Sequence, residues 1–343
     1  MRRPTLGVLT LLTAAAMVPQ PTVGEAQNLA DALRPLVGEN AARYAEPVSE
    51  GVGWGLGQPV ADDAAALPPL RFEVGARVLA ALPPSGVTTY DPVLPEEITY
   101  GGTTFAQPYA LTNGAQGSPT VVARGRGARL EPSGDFRDRL IQEGRNPDDY
   151  AFRLPDGLNL PAVPFPVAQG SVGVGFGTQL TGSYTPRVRL GDELGSLASR
   201  GISAKHELTH WLPAFAGPLS VALEAGRSGF DVGDVLDGST SHAGVAVSGT
   251  SGILTVFGQA GVQRSSVDIR YTAEGPTLEG GSDEPDRPQF PGEGEEVAFT
   301  STVDTSPRFS VGALFQFYVF RLSTHFTVAD YNGASVKLGV GPP

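Results

Sequence analysis

Four stretches of the chain alternate apolar and polar or small residues for longer than an ordinary strand requires. In the first, Phe72, Val74, Ala76, Val78, Ala80 and Leu82 alternate with Arg71, Glu73, Gly75, Arg77 and Leu79. In the second, Val172, Val174, Phe176, Thr178 and Leu180 alternate with Gly173, Gly175, Gly177, Gln179 and Thr181. Val267, Ile269, Tyr271 and Ala273 alternate with Asp268, Arg270, Thr272 and Glu274, and Phe320 to Val328 repeats the pattern around Arg321. Successive strand side chains point to opposite faces, so each run has one apolar and one polar face. A soluble sandwich buries the apolar face; a membrane barrel turns it to lipid and its polar face to a wet lumen. Soluble strands are usually about 5–6 residues long, whereas tilted membrane strands need ~9–11. The expected fold is therefore all-β, a transmembrane antiparallel β-barrel of roughly 10–14 strands. In such a barrel Arg71, Glu73, Arg77, Asp268, Arg270 and Arg321 are the expected polar lining of the lumen.

The beginning of the chain carries an export signal. Arg2 and Arg3 precede the apolar run Leu6–Val18, and Gly24-Glu25-Ala26 supplies small residues for cleavage after Ala26. Residues 1–26 are read as a signal peptide, because the apolar run is well short of the ~20 residues of a spanning helix. Cysteine is absent, which excludes disulfides, thiolate metal sites and a lipoprotein anchor; stability must come from burial and backbone hydrogen bonds. The net charge of −12 argues against nucleic-acid binding. Gly 45 and Pro 30 suit a turn-rich β-protein better than a helical enzyme.

Residues 27–60 differ from the rest. Leu29, Leu33, Leu36 and Val37 recur near helical spacing, and Ala41 to Ala45 continue a helix-forming stretch. The run from Gly51 to Gly57 is too glycine-rich to favour helix. The segment is read as a short N-terminal helix, either on the surface or plugging the lumen, followed by a barrel over 61–343. Two long loops are expected in that barrel. Residues 84–170 hold many prolines, which central strands tolerate poorly; Phe136–Glu143 fits a turn or two of helix there. Residues 274–296 are acidic, broken by glycine and proline, and read as an exposed, self-repelling loop. Calcium is the alternative reading, without the spacing of a calcium loop to support it.

Several motifs, in order, resemble a family of uncharacterised bacterial outer-membrane barrel proteins. They are Gly-Val-Gly-Trp-Gly-Leu within Tyr44–Leu56, and Val-Leu-Ala-Ala-Leu-Pro-Pro within Phe72–Pro84. Next come Gly-Ile-Ser-Ala-Lys-His within Gly201–Pro213, and Leu254-Thr255-Val256-Phe257-Gly258 within Gly252–Tyr271. Ala329-Asp330-Tyr331-Asn332 and Leu338-Gly339-Val340-Gly341 complete the set within Phe326–Gly341. In layout this family resembles the FadL-type barrels, which implies passage of small hydrophobic or amphipathic solutes but supplies no catalytic residue. One departure is the ending Gly341-Pro342-Pro343, where many barrels end on an aromatic residue.

The competing signal is His206-Glu207-Leu208-Thr209-His210, the H-E-x-x-H pattern of zinc proteases. On a helix it would place both histidines on one zinc with Glu207 activating water. Pro213 and Gly201 leave little room for that helix, and the local alternation fits a strand. A strand separates the histidines by about 13 Å, too far for one zinc. The match is read as chance, with Trp211 as an interfacial aromatic. The expectation is thus a passive outer-membrane channel without cofactor, metal or catalysis, with the outer-membrane bilayer as its main partner. The alternatives are a structural, loop-displaying barrel and, remotely, a secreted zinc protease.

Overall fold

The computed structural model describes residues 29–36, 38–58, 60–112, 117–160, 162–189, 196–212, 218–233, 235–281 and 287–342. The expected signal peptide lies outside them. Ten antiparallel strands close into one barrel. They are β1 (Phe72–Leu82), β2 (Val163–Gly175), β3 (Thr178–Arg189), β4 (Ser196–Glu207) and β5 (Leu219–Val232). After them come β6 (Leu236–Ser251), β7 (Leu254–Thr272), β8 (Glu296–Phe317), β9 (Phe320–Val328) and β10 (Asn332–Val340). Pairing of β1 with β10, from Val74 opposite Val340 to Leu82 opposite Asn332, shuts the sheet and removes its edges.

The two ends of the barrel differ. At one, strands are joined by tight turns such as Phe176-Gly177 and Tyr318-Val319. At the other, β1 and β2 are joined by residues 83–162, and β7 and β8 by 273–295. The alternation over 172–181 therefore belongs to two strands. Phe176 (φ 54°) and Gly177 (φ 70°) form the two-residue turn between them. The apolar period runs through this turn because Phe176 is itself an outward aromatic, stacked on Trp211 at 6.3 Å. With Phe72, Phe317, Tyr318 and Phe320, all exposed, these two rings make an aromatic girdle at the short-turn end.

Outward positions are apolar over the middle of the wall, as at Val256, Val262, Phe309, Val311, Leu322 and Leu338. Water would oppose so broad an apolar surface; lipid matches it. Toward the long-loop end the polarity inverts. On β7 the inner face changes from Gln263 and Ser265 to Val267, Ile269 and Tyr271, all buried. The outer face there carries Asp268 and Arg270.

The inner apolar residues share a core with Leu29, Leu33 and Leu36 of the N-terminal segment, and the Tyr271 hydroxyl donates to the Leu36 carbonyl at 2.9 Å. This part of the wall stands beyond the apolar band, where water lies outside and protein inside.

The described residues of the 83–162 connection fold into a cap over that end. Short sheets pair Thr89–Tyr90 with Ser118–Pro119, Glu97–Tyr100 with Thr103–Ala106, and Arg124–Gly125 with Gly157–Leu158. A three-stranded sheet joins Tyr109–Leu111, Arg129–Pro132 and Phe152–Arg153. Its own core is aromatic. Phe136 meets Tyr100 at 5.5 Å and Tyr109 meets Phe152 at 4.9 Å, both edge-on, which adds about 0.5–1.5 kcal/mol per pair to burial.

The 84–170 region expected as loop thus ends earlier. Pro164 and Pro166 lie in β2, but β2 pairs with β3 only from Ala168 onward. The missing proline N–H groups leave no ladder bond unmade there. The 273–295 loop is not a free acidic loop either. Glu279 accepts from Arg129 at 2.8 Å, Phe290 joins the aromatic core, and Gln289 bridges Thr99. Asp283, Glu284 and Asp286 lie outside the described residues.

The helix α1 (Leu29–Leu33) and the longer α2 (Glu39–Leu56) lead from the cap into the lumen. Ala41, Tyr44, Ala45, Val48 and Val52 recur at helical spacing and are buried. Contrary to the sequence expectation, the helix continues through Gly51-Val52-Gly53-Trp54-Gly55. The barrel wall dictates this: a Cβ on Gly53 would lie 2.6 Å from the Ser265 Oγ, and one on Gly55 would lie 2.6 Å from the Phe165 ring. Glycine costs helix propensity (~1 kcal/mol) but lets the helix pass between opposite walls of a narrow barrel. Gly55→Leu is therefore expected to unseat α2, destabilising the fold by at least about 1–3 kcal/mol. The measurement is the temperature at which the folded, fast-migrating band converts on a denaturing gel. An unchanged conversion temperature would contradict the packing described.

Candidate functional site

The lumen is filled by the chain's own residues 53–58 and 60–71, which continue from α2 toward the short-turn end and emerge at Phe72. Barrel begins at β1, so residues 61–70 belong to the plug rather than to the wall. An irregular segment in a closed lumen has backbone groups to satisfy, and every strand contributes. Gln263 on β7 donates to the Gly53 carbonyl at 2.9 Å, and Arg308 on β8 donates to that of Gly57. Glu224 on β5 accepts from the Val60 amide at 3.1 Å, and Ser248 on β6 accepts from that of Ala64 at 3.0 Å. Glu207 on β4 takes the Ala66 amide at 2.8 Å, and Gln179 on β3 takes that of Leu67 at 3.1 Å. On β2, Gly173 accepts from Leu70 at 2.8 Å and donates to Arg71 at 3.0 Å.

At the centre lie two carboxylates. Asp62 pairs with Arg77 of β1, with Lys337 of β10 at 2.6 Å, with His325 of β9 at 3.0 Å and with the Ser323 hydroxyl at 2.7 Å. Asp63 pairs with Lys205 of β4 at 2.9 Å and Arg321 of β9 at 3.0 Å. Glu73 of β1 bridges the two groups, meeting Lys337 and, at 3.2 Å, Arg321. Both lysines of the chain are in this cluster. With Glu207, Glu224 and Arg308 included, five acids face five bases, so the lumen is balanced in charge. Such burial costs several kcal/mol per ion, offset only by complete pairing. Among the described residues, two voids of about 10 Å³ lie beside the cluster, each room for one water at most.

Three of the six expected lumen residues, Glu73, Arg77 and Arg321, are here. They bind the plug rather than line an open path. The other three are elsewhere. Arg71 is exposed at the short-turn rim, and Asp268 and Arg270 face outward where the wall's polarity inverts. Sequence alternation identified neither Asp62 nor Asp63. The doublet follows Pro59 in a segment without period, and its partners come from strands far apart in sequence.

The H-E-x-x-H segment is not helical. β4 runs to Glu207, and Thr209–Trp211 is a short 3-10 turn. His206 faces the outside and meets the Thr178 hydroxyl at 2.9 Å, while Glu207 points inward to the plug. A zinc protease helix, which the remote alternative requires, is absent from the described residues. Among them no three His, Asp or Glu side chains gather as metal ligands.

A second feature lies at the long-loop end. A cleft of about 360 Å³ opens between α2 and the cap, lined by Leu36, Leu94, Pro95, Leu130, Phe152 and Phe290 with Glu39, Glu96 and Glu97 around it. Its walls are tied together. Asn40 and Val93 exchange two hydrogen bonds at 2.7 and 2.8 Å, and Arg43 donates to Asp91 at 2.7 Å.

Two measurements test this geometry. Asp62→Ala leaves buried cations unpaired and is expected to cost the plug about 3–5 kcal/mol, read as new protease cleavage within 53–71 while the barrel stays heat-modifiable; unchanged protection would refute the cluster's role. In the cap, the hydrogen bond from Arg129 holds the Glu279 carboxyl below its ordinary 4.5. A depressed carboxylate stabilises the folded state above its unfolded value and loses that contribution as pH falls through the folded one. Cap protection from protease is thus expected to fall as pH drops below the ordinary carboxylate range, and Glu279→Gln should show the loosened cap already at neutral pH.

The chain is similar to several outer-membrane barrels. The translocator domain of the autotransporter NalP from Neisseria meningitidis is 10% identical, with 89% of this chain and 98% of that one covered and a TM-score of 0.29. The COG4313 outer membrane channel from Pseudomonas putida F1 is 9% identical, with 83% and 100% covered and a TM-score of 0.29. Ail, the attachment invasion locus protein of Yersinia pestis, is 8% identical, with 80% and 97% covered and a TM-score of 0.23. No curated protein matches the sequence. The model of a family of unknown function, DUF6588, matches residues 1–341, and the chain belongs to that family.

Proposed function

We propose that the protein is an outer-membrane barrel that works closed, holding a folded cap on the cell surface, rather than a passive open channel. The observation that carries this is the lumen filled by residues 53–58 and 60–71 and fixed by hydrogen bonds from all ten strands. The outer-membrane location rests on the closed ladder, the outward apolar band and the aromatic girdle. In such barrels short turns face the periplasm and long loops the outside. On that rule the cap and the cleft are extracellular, and α2 enters the lumen from outside. The bilayer is the principal partner, and the reading includes no catalytic step.

The cleft supports a second reading. Its apolar walls suit a small hydrophobic or amphipathic solute, and release of the plug would then open a FadL-like route inward. The two readings differ in conductance. Purified protein in planar bilayers is expected to give no steady current, and the double variant Asp62→Ala/Asp63→Ala is expected to give intermittent openings. Steady conductance by the wild-type protein would reject the closed reading. Silence in both, together with solute uptake into proteoliposomes by the wild-type protein alone, would favour gated transport.

A further inference from the structure

On the outer wall, four neighbouring strands change from apolar to polar at one level. Toward the long-loop end, the outward residue that follows the apolar run is Arg200 on β4, Arg227 on β5, Ser241 on β6 and Arg264 on β7. The register places Arg227 opposite Ser241 and Ser241 opposite Arg264, in one row. The two arginines are two strands apart, about 10 Å. Arg200 lies two residues above Ile202, which is opposite Arg227. All three arginines are exposed, and none forms an ion pair among the described residues. In a chain of 36 acids and 24 bases, three neighbouring guanidinium groups outside any ion pair are a departure; the acid nearest them in the register is Asp304, in the β8 bulge facing Arg264, and the next are Asp231, Asp237 and Asp268, four residues further toward the long-loop end. The arc is one-sided: on β8 the bulge of Asp304 and Thr305 faces Arg264, and Val328 on β9 and Ala80 on β1 sit at the corresponding edge.

Directly beneath the arc the wall is indented. The next outward row is Ala204, Ala225, Ala243 and Val262, each opposite the next. Below it come His206, Leu223, Val245 and Ala260 in the same register. Together they line a shallow, almost wholly apolar groove of about 640 Å³ on the lipid-facing surface. Its floor depends on close strand approach, since a Cβ on Gly261 would lie 2.3 Å from the Ala243 carbonyl oxygen. The groove and the arginines are independent features, one of shape and one of charge, and they share an edge.

We propose that this face is a binding site for one molecule of a phosphorylated glycolipid of the outer leaflet, with phosphate groups on Arg200, Arg227 and Arg264 and an acyl chain in the groove below. Arginine suits this because its planar fork meets phosphate oxygens two at a time. Beside lipid, the guanidinium groups have no water on the barrel side, which strengthens the pairing. The assignment rests on the outer-membrane reading and on the long-loop end being outside.

The test uses the full-length protein in detergent, titrated with diphosphorylated lipid A and with its dephosphorylated form, with bound lipid counted by native mass spectrometry. Heat-modifiability of each variant reports the barrel separately, so loss of the fold and loss of the site are distinguishable. The expected result is preference for the phosphorylated form. Arg227→Gln/Arg264→Gln is expected to lower affinity at least about tenfold. Ser241→Asp removes no contact but sets a negative charge between the two arginines, and should weaken binding similarly. Ala243→Phe fills the groove and should weaken it with the arginines intact. Arg71→Gln, at the other rim, should have no effect.

Equal binding of both lipid forms, or unchanged affinity in folded Arg227→Gln/Arg264→Gln, would overturn the proposal. Full displacement of the lipid by millimolar inorganic phosphate, with Ala243→Phe unaffected, would overturn it in favour of a free anion.

Discussion

The structure depends on how an aspartate pair is neutralised inside a closed barrel. Asp62 and Asp63 sit on an irregular segment, where no regular ladder satisfies the backbone and no bulk water screens the charge. Their carboxylates are held by Arg77, Lys337 and Arg321 on the adjacent strands β1, β10 and β9, and by Lys205 on β4 across the lumen. Because a lone buried ion is far more costly than a paired one, plug and wall stabilise each other. Without the plug, the inward cations on β1, β4, β9 and β10 would repel one another across a narrow lumen. Without the wall, residues 57–67 have too few apolar side chains to fold alone.

The same coupling accounts for which parts were legible in the sequence. Period-two alternation is a local property, and it marked β1 and β9 and the all-β class correctly. It also brought Glu73, Arg77 and Arg321 forward as inward charges. It misled at Asp268 and Arg270, because alternation identifies two faces without saying which one meets water. Beyond the apolar band the apolar face turns inward onto Leu33 and Leu36, and the polar face turns out. The period also ran unbroken through Phe176-Gly177, since a girdle aromatic satisfies the pattern as well as a strand residue does.

The plug was illegible for a different reason. Helix propensity argues against Gly51–Gly57, and in isolation that argument is sound. Inside the barrel the deciding quantity is the distance to Ser265 and Phe165, which only the tertiary fold supplies. Asp62 and Asp63 carry no period, and their partners lie 15 to 275 residues away. A pair of acids after a proline is an ordinary surface sequence; its meaning comes from both of the chain's lysines being inward-facing strand residues.

The distribution of positive charge then separates two jobs. Lys205, Lys337, Arg77 and Arg321 face carboxylates at 3.2 Å or less, Arg308 holds the Gly57 carbonyl, and together they hold the lumen shut. Arg200, Arg227 and Arg264 stand on the outer face outside any ion pair among the described residues, at the level where the outer wall leaves the apolar band. Strand geometry makes this separation strict, because a residue moved by one position changes from lumen to lipid. Lys205 and Ala204 show it on one strand: the first reaches Asp63 in the lumen and the second lines the outer groove. A single β-strand thus serves the plug with one parity and the membrane with the other. Substitutions on the two faces should therefore act independently, as expected of sites that share no partner.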